Sequence, residues 1–233
     1  MYQTLEKIGH GLQSKVYRIQ NTNKALKVMN LNKRSKYHFE KLKDSEIFTI
    51  EGIVQYHTIT MKDFCIYITM DLYYTDLFDL IKRRNKFLNE QEARILMSKI
   101  CKTLKIMHEK GFIHRDVKPE NILLNSDDID ENSHIVLCDL ESIATTDGYY
   151  SEMSYGTIEY IAPEASYQSN HKKLDTYSLG KTLWKITGEG HLDISNDLRN
   201  LYKQMTMQNT EDRLSIFQVM EHNWLNEFSE KIF

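Results

Sequence analysis

The residues able to do chemistry lie in a few short runs. The densest is His114-Arg115-Asp116-Val117-Lys118-Pro119-Glu120-Asn121, followed downstream by Asp139-Leu140-Glu141. A carboxylate held beside a hydroxyl can take its proton. A fixed lysine charge stabilises negative charge as it develops, and amide and carboxylate oxygens suit a hard divalent cation. The bland alternative is a turn of charged residues closing a helix. A second run, Ile8-Gly9-His10-Gly11-Leu12-Gln13-Ser14-Lys15-Val16, sets glycines between strand-like residues. Glycine lets backbone N–H groups approach a phosphate closely, although such a run alone equally suits a surface hairpin. Lys27 follows in Ala25-Leu26-Lys27, eleven residues beyond Val16.

Composition and helical spacing predict the elements that carry these runs. Leu5 to Ile8, Lys15 to Ile19, Ala25 to Met29, Ile53 to Ile59 and Cys65 to Met70 are short, β-branched or aromatic, and bounded by Gly, Asn or Asp, as strands are. Ser35 to Ile50 has helical spacing, with Phe39, Leu42 and Ile50 near one face. Asp76 to Arg84 reads as a short amphipathic helix. Asn89 to Lys110 reads as a longer one, capped by Asn89 and stopped at Gly111. The apolar runs Ile122 to Leu124 and Ile135 to Cys138 flank an acidic loop, Ser126 to Ser133, in the manner of a hairpin. Helices dominate from Asp175 onward. A strand-rich front and a helix-rich back fit an α+β, two-lobed enzyme.

In these runs the sequence resembles the protein-kinase superfamily, serine/threonine type. The resemblance implies a two-lobed protein-kinase-like fold: a small antiparallel-sheet N-lobe with one helix, and a larger, mainly helical C-lobe. It implies one kinase domain over 1–233, with the N-lobe to about 70, a hinge at about 71–75 and the C-lobe from about 76. By resemblance Asp116 is the catalytic base and Lys118 lies near the transferring phosphate. Asn121 and Asp139 bind the metal, Mg2+ with Mn2+ as substitute, that bridges ATP phosphates. Ile8, Gly9, His10, Gly11, Leu12, Gln13, Ser14, Lys15 and Val16 form the loop over the nucleotide, with Ser14 where the third glycine usually stands. Ala25, Met70, Asp71, Tyr73 and Leu123 line the nucleotide, and Asp76 stands where the family often has an acid for the ribose. Asp76 as a helix N-cap is an equal reading.

Lys27 is implied to pair with the α- and β-phosphates and with a glutamate of the following helix. Glu46, nineteen residues on, has apolar Leu42 and Ile50 at −4 and +4, as an inward face requires. Glu40 better fits the distance to Ile53-Val54, but its +4 neighbour is Asp44. Periodicity favours Glu46. Glu141 stands where the family has glycine after the metal-binding Asp.

Gly156-Thr157-Ile158-Glu159-Tyr160-Ile161-Ala162-Pro163-Glu164 resembles the segment that docks substrate, with Arg213 as partner of Glu164. Asp175-Thr176-Tyr177-Ser178-Leu179-Gly180 resembles the start of the central helix, whose Asp holds the catalytic-loop backbone. Thr157 is expected to contact both Asp116 and Lys118. Together with Lys118, it marks the serine/threonine form. Arg115 before Asp116 is a feature of kinases switched by phosphorylation. Tyr149, Ser151 and Ser154 are acceptor candidates, Lys36 is a second phosphate contact, and Glu152 can imitate the phosphate. Asp76-Leu77-Phe78-Asp79 and His222-Asn223-Trp224 suggest a calcium/calmodulin-kinase-like cast. The stretch after Gly188 is short and lacks the usual Pro-Phe.

Bulk properties agree. The chain has 233 residues, a formal charge of −3, 41% hydrophobic and 27% charged residues. Neither nucleic acid nor membrane is expected as a partner, and no run of about 18 apolar residues is present. Cys65, Cys101 and Cys138 show no CxxC spacing, which points to a reducing compartment, cytoplasmic or nuclear. A monomer acting on a protein Ser/Thr hydroxyl, with regulation by partners, is expected. A kinase-shaped scaffold without phosphotransfer is the alternative. Ser14 and Glu141 favour it; Lys27, Asp116, Asn121 and Asp139 together oppose it.

Overall fold

Period-two burial marks Lys24–Asn30 and Cys65–Asp71, two paired strands of the first sheet. Strands β1 (Leu5–His10), β2 (Ser14–Ile19), β3 (Lys24–Asn30), β4 (Tyr56–Lys62) and β5 (Cys65–Asp71) form an antiparallel sheet in the order β1-β2-β3-β5-β4. Ala25, Lys27 and Met29 lie opposite Met70, Ile68 and Ile66 across β3 and β5, and all six are buried. They share one face because side chains two apart point the same way. The computed structural model describes residues 5–10, 14–148, 156–165, 171–190 and 194–226. Gly11, Leu12 and Gln13, and the regulatory candidates Tyr149, Ser151, Glu152 and Ser154, lie outside them. The chain divides into two compact units, Met1–Tyr73 and Tyr74–Phe233.

The helix expected over Ser35 to Ile50 is two elements. Helix α1 spans Lys33–Lys43, with a capping box between Asn32 and Ser35, and a separate 3₁₀ turn covers Glu46–Thr49. Ser45 causes the break. Its hydroxyl donates to Leu42 O at 2.8 Å and accepts from Ile47 N at 3.4 Å. Serine thus offers the backbone an alternative to continuing the helix. Glu46 therefore lies off α1 and is exposed, while Glu40 lies on α1, exposed and 3.8 Å from Lys36. The face that joined Leu42, Glu46 and Ile50 in the sequence does not form. Ile53 and Val54 are buried but precede β4, outside the ladder.

The second unit is mainly helical. Its helices are α2 (Leu77–Arg84), α3 (Glu90–Glu109), α4 (Lys173–Ile186), α5 (Asn196–Met205), α6 (Ile216–Met220) and α7 (Asn223–Asn226). Asn89 and Glu92 close a capping box on α3, and its stripe of Ala93, Leu96, Met97, Ile100, Leu104 and Met107 is buried. Gly111 ends that helix at φ +82, a conformation that favours glycine. Among the described residues, five short strands complete the unit: β6 (Thr75–Asp76), β7 (Phe112–Ile113), β8 (Ile122–Leu124), β9 (Ile135–Leu137) and β10 (Ala144–Thr145). β6, β8 and β9 form one sheet, and β7 pairs with β10. Leu179 and Leu183 of α4, Leu198 and Leu201 of α5 and Trp224 of α7 are buried in the core. Among the described residues, no helix is long and apolar enough to cross a membrane.

Candidate active site

The catalytic-loop run is held by a carboxylate on α4. Asp175 is fully buried, and its Oδ1 accepts from Arg115 N at 2.7 Å. Its Oδ2 accepts from His114 N at 2.9 Å and pairs with His108 Nε2 at 2.8 Å. Burial alone would raise the Asp175 carboxyl, but the hydrogen bond and charge of His108, His114 and the Arg115 amide outweigh it and hold it below its ordinary value. The grip is needed because Arg115 stands at φ +69, which costs a non-glycine residue about 1–3 kcal/mol. His114 Nε2 also lies 3.0 Å from Cys138 O, and Cys138 N donates to Asn121 O at 2.9 Å. Those two bonds tie the β8–β9 hairpin, and so Asp139, to the loop.

Asp116 is the centre of this network and is 5% exposed. Its Oδ1 accepts from the Thr157 hydroxyl at 3.0 Å. Its Oδ2 accepts from Asn121 Nδ2 at 2.9 Å and lies 2.9 Å from Lys118 Nζ. Lys118 Nζ donates to Thr157 Oγ1 at 2.5 Å, so Thr157 touches both residues as expected. A carboxylate oxygen has two lone pairs, and Oδ1 uses one of them on Thr157. The carboxylate thus has acceptor capacity left for a substrate hydroxyl.

Thr157 is brought in by its glycine. Gly156 stands at φ +88, and a Cβ there would sit 2.7 Å from Arg115 O. Only glycine lets the segment lie this close to the catalytic loop. Further along, Tyr160 O accepts from the Ser178 hydroxyl at 2.8 Å. Glu164 binds Arg213 through two parallel bonds of 2.5 and 2.9 Å.

The Asn121 amide is oriented by Asp116. Its Nδ2 donates to Asp116 O at 2.8 Å as well as to Oδ2, so the amide nitrogen faces Asp116 and Oδ1 faces away. Asp139 stands at φ 62 and ψ 72 immediately before a 3₁₀ turn, Leu140–Ser142. Glu141 sits inside that turn with negative φ, a conformation any residue adopts. The glycine of the family is therefore not required by the backbone here. The donors are an amide and a carboxylate oxygen, the chemistry of a hard divalent ion. Among the described residues no group of three or more His, Cys, Asp or Glu could hold a metal. The pair nonetheless fits an ion that takes its other ligands from phosphates and water, as magnesium does.

The remaining expected residues fall as follows. Lys27 is 6% exposed on β3, between Val16 on β2 and Ile68 on β5. Ala25 faces Met70 across the sheet, Gly9 faces Val16, His10 faces Lys15, and Ser14 faces Met29. Ile8 is 44% exposed. Asp71 ends β5 with its carboxylate 2.7 Å from His57 Nε2, and Tyr73 is half-buried. Leu123 on β8 lies between Asp76 and Val136. Asp76 caps α2, accepting from Asp79 N at 2.9 Å. Burial, and then the charges of Asp79 and Glu120, push its carboxyl up. Sequence reasoning did not single out His108 or Thr182. A polar residue recurring on an otherwise buried helix face was the available signal.

The protein kinase domain model matches residues 2–193. The chain belongs to the protein kinase family. It is 28% identical over 192 residues to a probable myosin light chain kinase from Dictyostelium discoideum, covering 68% of this chain and 38% of that protein. It is 30% identical over 182 residues to calcium-dependent protein kinase 19 from Arabidopsis thaliana, covering 66% and 33%. Against the carbon catabolite-derepressing protein kinase from Candida glabrata, identity is 28% over 257 residues, covering 96% and 41%. The chain spans between a third and about two fifths of the length of these relatives. The α+β kinase fold and the eukaryotic serine/threonine kinase superfamily are thereby established, and the family uses ATP and a divalent ion.

Proposed function

We propose that this chain is an active serine/threonine protein kinase that transfers the γ-phosphate of Mg-ATP to hydroxyls of protein substrates. The observation that carries the reading is the convergence of Thr157, Lys118 and Asn121 on one buried carboxylate, Asp116. Asp116 takes the proton of the acceptor hydroxyl on Oδ1. Lys118 supplies fixed positive charge where negative charge develops, a contribution of about 10²–10³ in rate for one such group. Thr157 keeps Lys118 and Asp116 in register and lines the approach of the acceptor. Asn121 Oδ1 and the Asp139 carboxylate would hold the metal, which when bound neutralises phosphate charge. Lys27, a buried cation on a rigid strand, is assigned to the α- and β-phosphates.

The scaffold alternative draws its support from Ser14 and Glu141. The right-handed backbone at Glu141 weakens half of that support. The test is transfer of labelled phosphate from ATP to a generic protein such as casein, followed by acid hydrolysis. Phosphoserine and phosphothreonine are expected, with none formed when EDTA removes the metal. Label confined to phosphotyrosine, or none at all with metal present, would contradict the proposal.

A further inference from the structure

Helix α4 places three polar residues on one face, Asp175, Ser178 and Thr182, at i, i+3 and i+7. They are 0%, 4% and 0% exposed. Asp175 holds the start of the catalytic loop, as described above. Each hydroxyl has two carbonyls in reach, one in its own helix and one outside. Thr182 Oγ1 is 2.9 Å from Ser178 O and 3.2 Å from Val117 O. Ser178 Oγ is 3.1 Å from Leu174 O and 2.8 Å from Tyr160 O.

A hydroxyl has one proton to give. The two helical carbonyls already receive backbone N–H groups four residues on. The carbonyl of Val117 lies outside helices and strands, and that of Tyr160 ends the 3₁₀ turn Ile158–Tyr160 with Pro163, which has no N–H, three residues on; among the described residues these hydroxyls are their partners. Leaving a buried carbonyl unpaired is costly, so both protons go outward. The two recipients matter for geometry. Val117 lies between Asp116 and Lys118, whose side chains meet at 2.9 Å. Tyr160 follows Thr157 on the segment that touches Asp116.

We infer that Thr182 and Ser178 are positioning residues for phosphotransfer, an inference that rests on the kinase reading. The Thr182 hydroxyl fixes the peptide between Asp116 and Lys118, and the Ser178 hydroxyl fixes the segment bearing Thr157. One helix face thereby sets the register of two separate loops. Neither residue touches substrate.

Thr182→Val keeps the side-chain shape and removes the hydroxyl. Its kcat is expected to fall about tenfold with KM for ATP within about twofold, as a small misplacement of catalytic groups would give. Thr182→Ser should restore the rate. Amides of residues 115–118 should exchange hydrogen faster in Thr182→Val than in the parent. Ile186→Val, a methyl removed from the buried part of the same helix, should lower the melting temperature and leave kcat unchanged. An unaltered kcat in Thr182→Val, no rescue by serine, or an equal loss in Ile186→Val overturns the inference. If Thr182→Val does not fold, Ser178→Ala applies the same test through Tyr160. If the parent chain transfers no phosphate, the kinase reading fails by itself. The exchange comparison still decides the positioning role: unchanged exchange overturns it, and faster exchange supports it.

Discussion

Replacing Glu164 by glutamine puts the physical account of the Glu164–Arg213 pair to a quantitative test. The Arg213 side chain is 0% exposed, and all five of its N–H donors have acceptors. Nε donates to Met207 O at 2.9 Å, Nη1 to Glu164 and to Lys173 O at 3.1 Å, and Nη2 to Glu164 and to Gln208 O at 3.5 Å. Glutamine retains one acceptor, turns an NH₂ toward a guanidinium N–H, and removes the compensating charge. Breaking a fully buried pair costs about 3–5 kcal/mol. The Glu164 side chain is 28% exposed, so water offsets part of this. We expect about 2–3 kcal/mol, or about 5–10 °C in melting temperature for a chain of this size.

The pH dependence of the same variant has a definite sign. Burial alone would raise the Glu164 carboxyl, but Arg213 outweighs it and holds it below the ordinary glutamate value. The unfolded chain therefore binds the proton more readily than the folded one. The stabilisation is present above the ordinary glutamate range and is lost as pH falls through the folded value. Thermal unfolding followed by circular dichroism should show a gap between parent and Glu164→Gln at neutral pH that narrows in acid. A gap below about 1 °C at neutral pH, or one that does not narrow, would refute the reasoning. Glu159→Gln is the contrast. Its partner Lys185 is 40% exposed and Glu159 itself 52%, so less than about 1 kcal/mol is expected.

Two other substitutions test separate parts of the account. Gly156→Ala puts a Cβ 2.7 Å from Arg115 O at φ +88, so it should lower stability by about 2 kcal/mol or more and reduce transfer, measured by unfolding and by phosphate incorporation. Glu40→Gln and Glu46→Gln compare the two glutamates proposed for Lys27. Because only Glu40 lies on α1, Glu40→Gln should lower kcat/KM for ATP, and Glu46→Gln should leave it within about twofold.

Much of this structure is legible in local pattern. Short β-branched or aromatic runs bounded by Gly, Asn or Asp marked the five strands of the first sheet, because such side chains suit a pleated surface. Asn89 and Gly111 marked the ends of α3 because cap chemistry is local. The order of motifs from Ile8 to Leu225 identified the family. The break in the first helix was not legible. It depends on whether the Ser45 hydroxyl turns back to Leu42, and spacing alone cannot show that. The outcome at Glu141 was also hidden, since a missing glycine does not reveal which φ its replacement takes. Asp76 left two readings open that can both hold, and the helix cap forms. Thr182 escaped notice because its partner, Val117, is 65 residues away. Periodicity can place such a hydroxyl on a buried helix face but cannot name its partner.

The most direct measurement compares phosphate transfer by the parent and by Asp116→Asn, with nucleotide binding followed in parallel. The asparagine keeps the size of the side chain and cannot serve as the base. Transfer should fall by at least about a hundredfold while melting temperature and ATP affinity stay near the parent values. Equal transfer by the two proteins would contradict the assignment of Asp116.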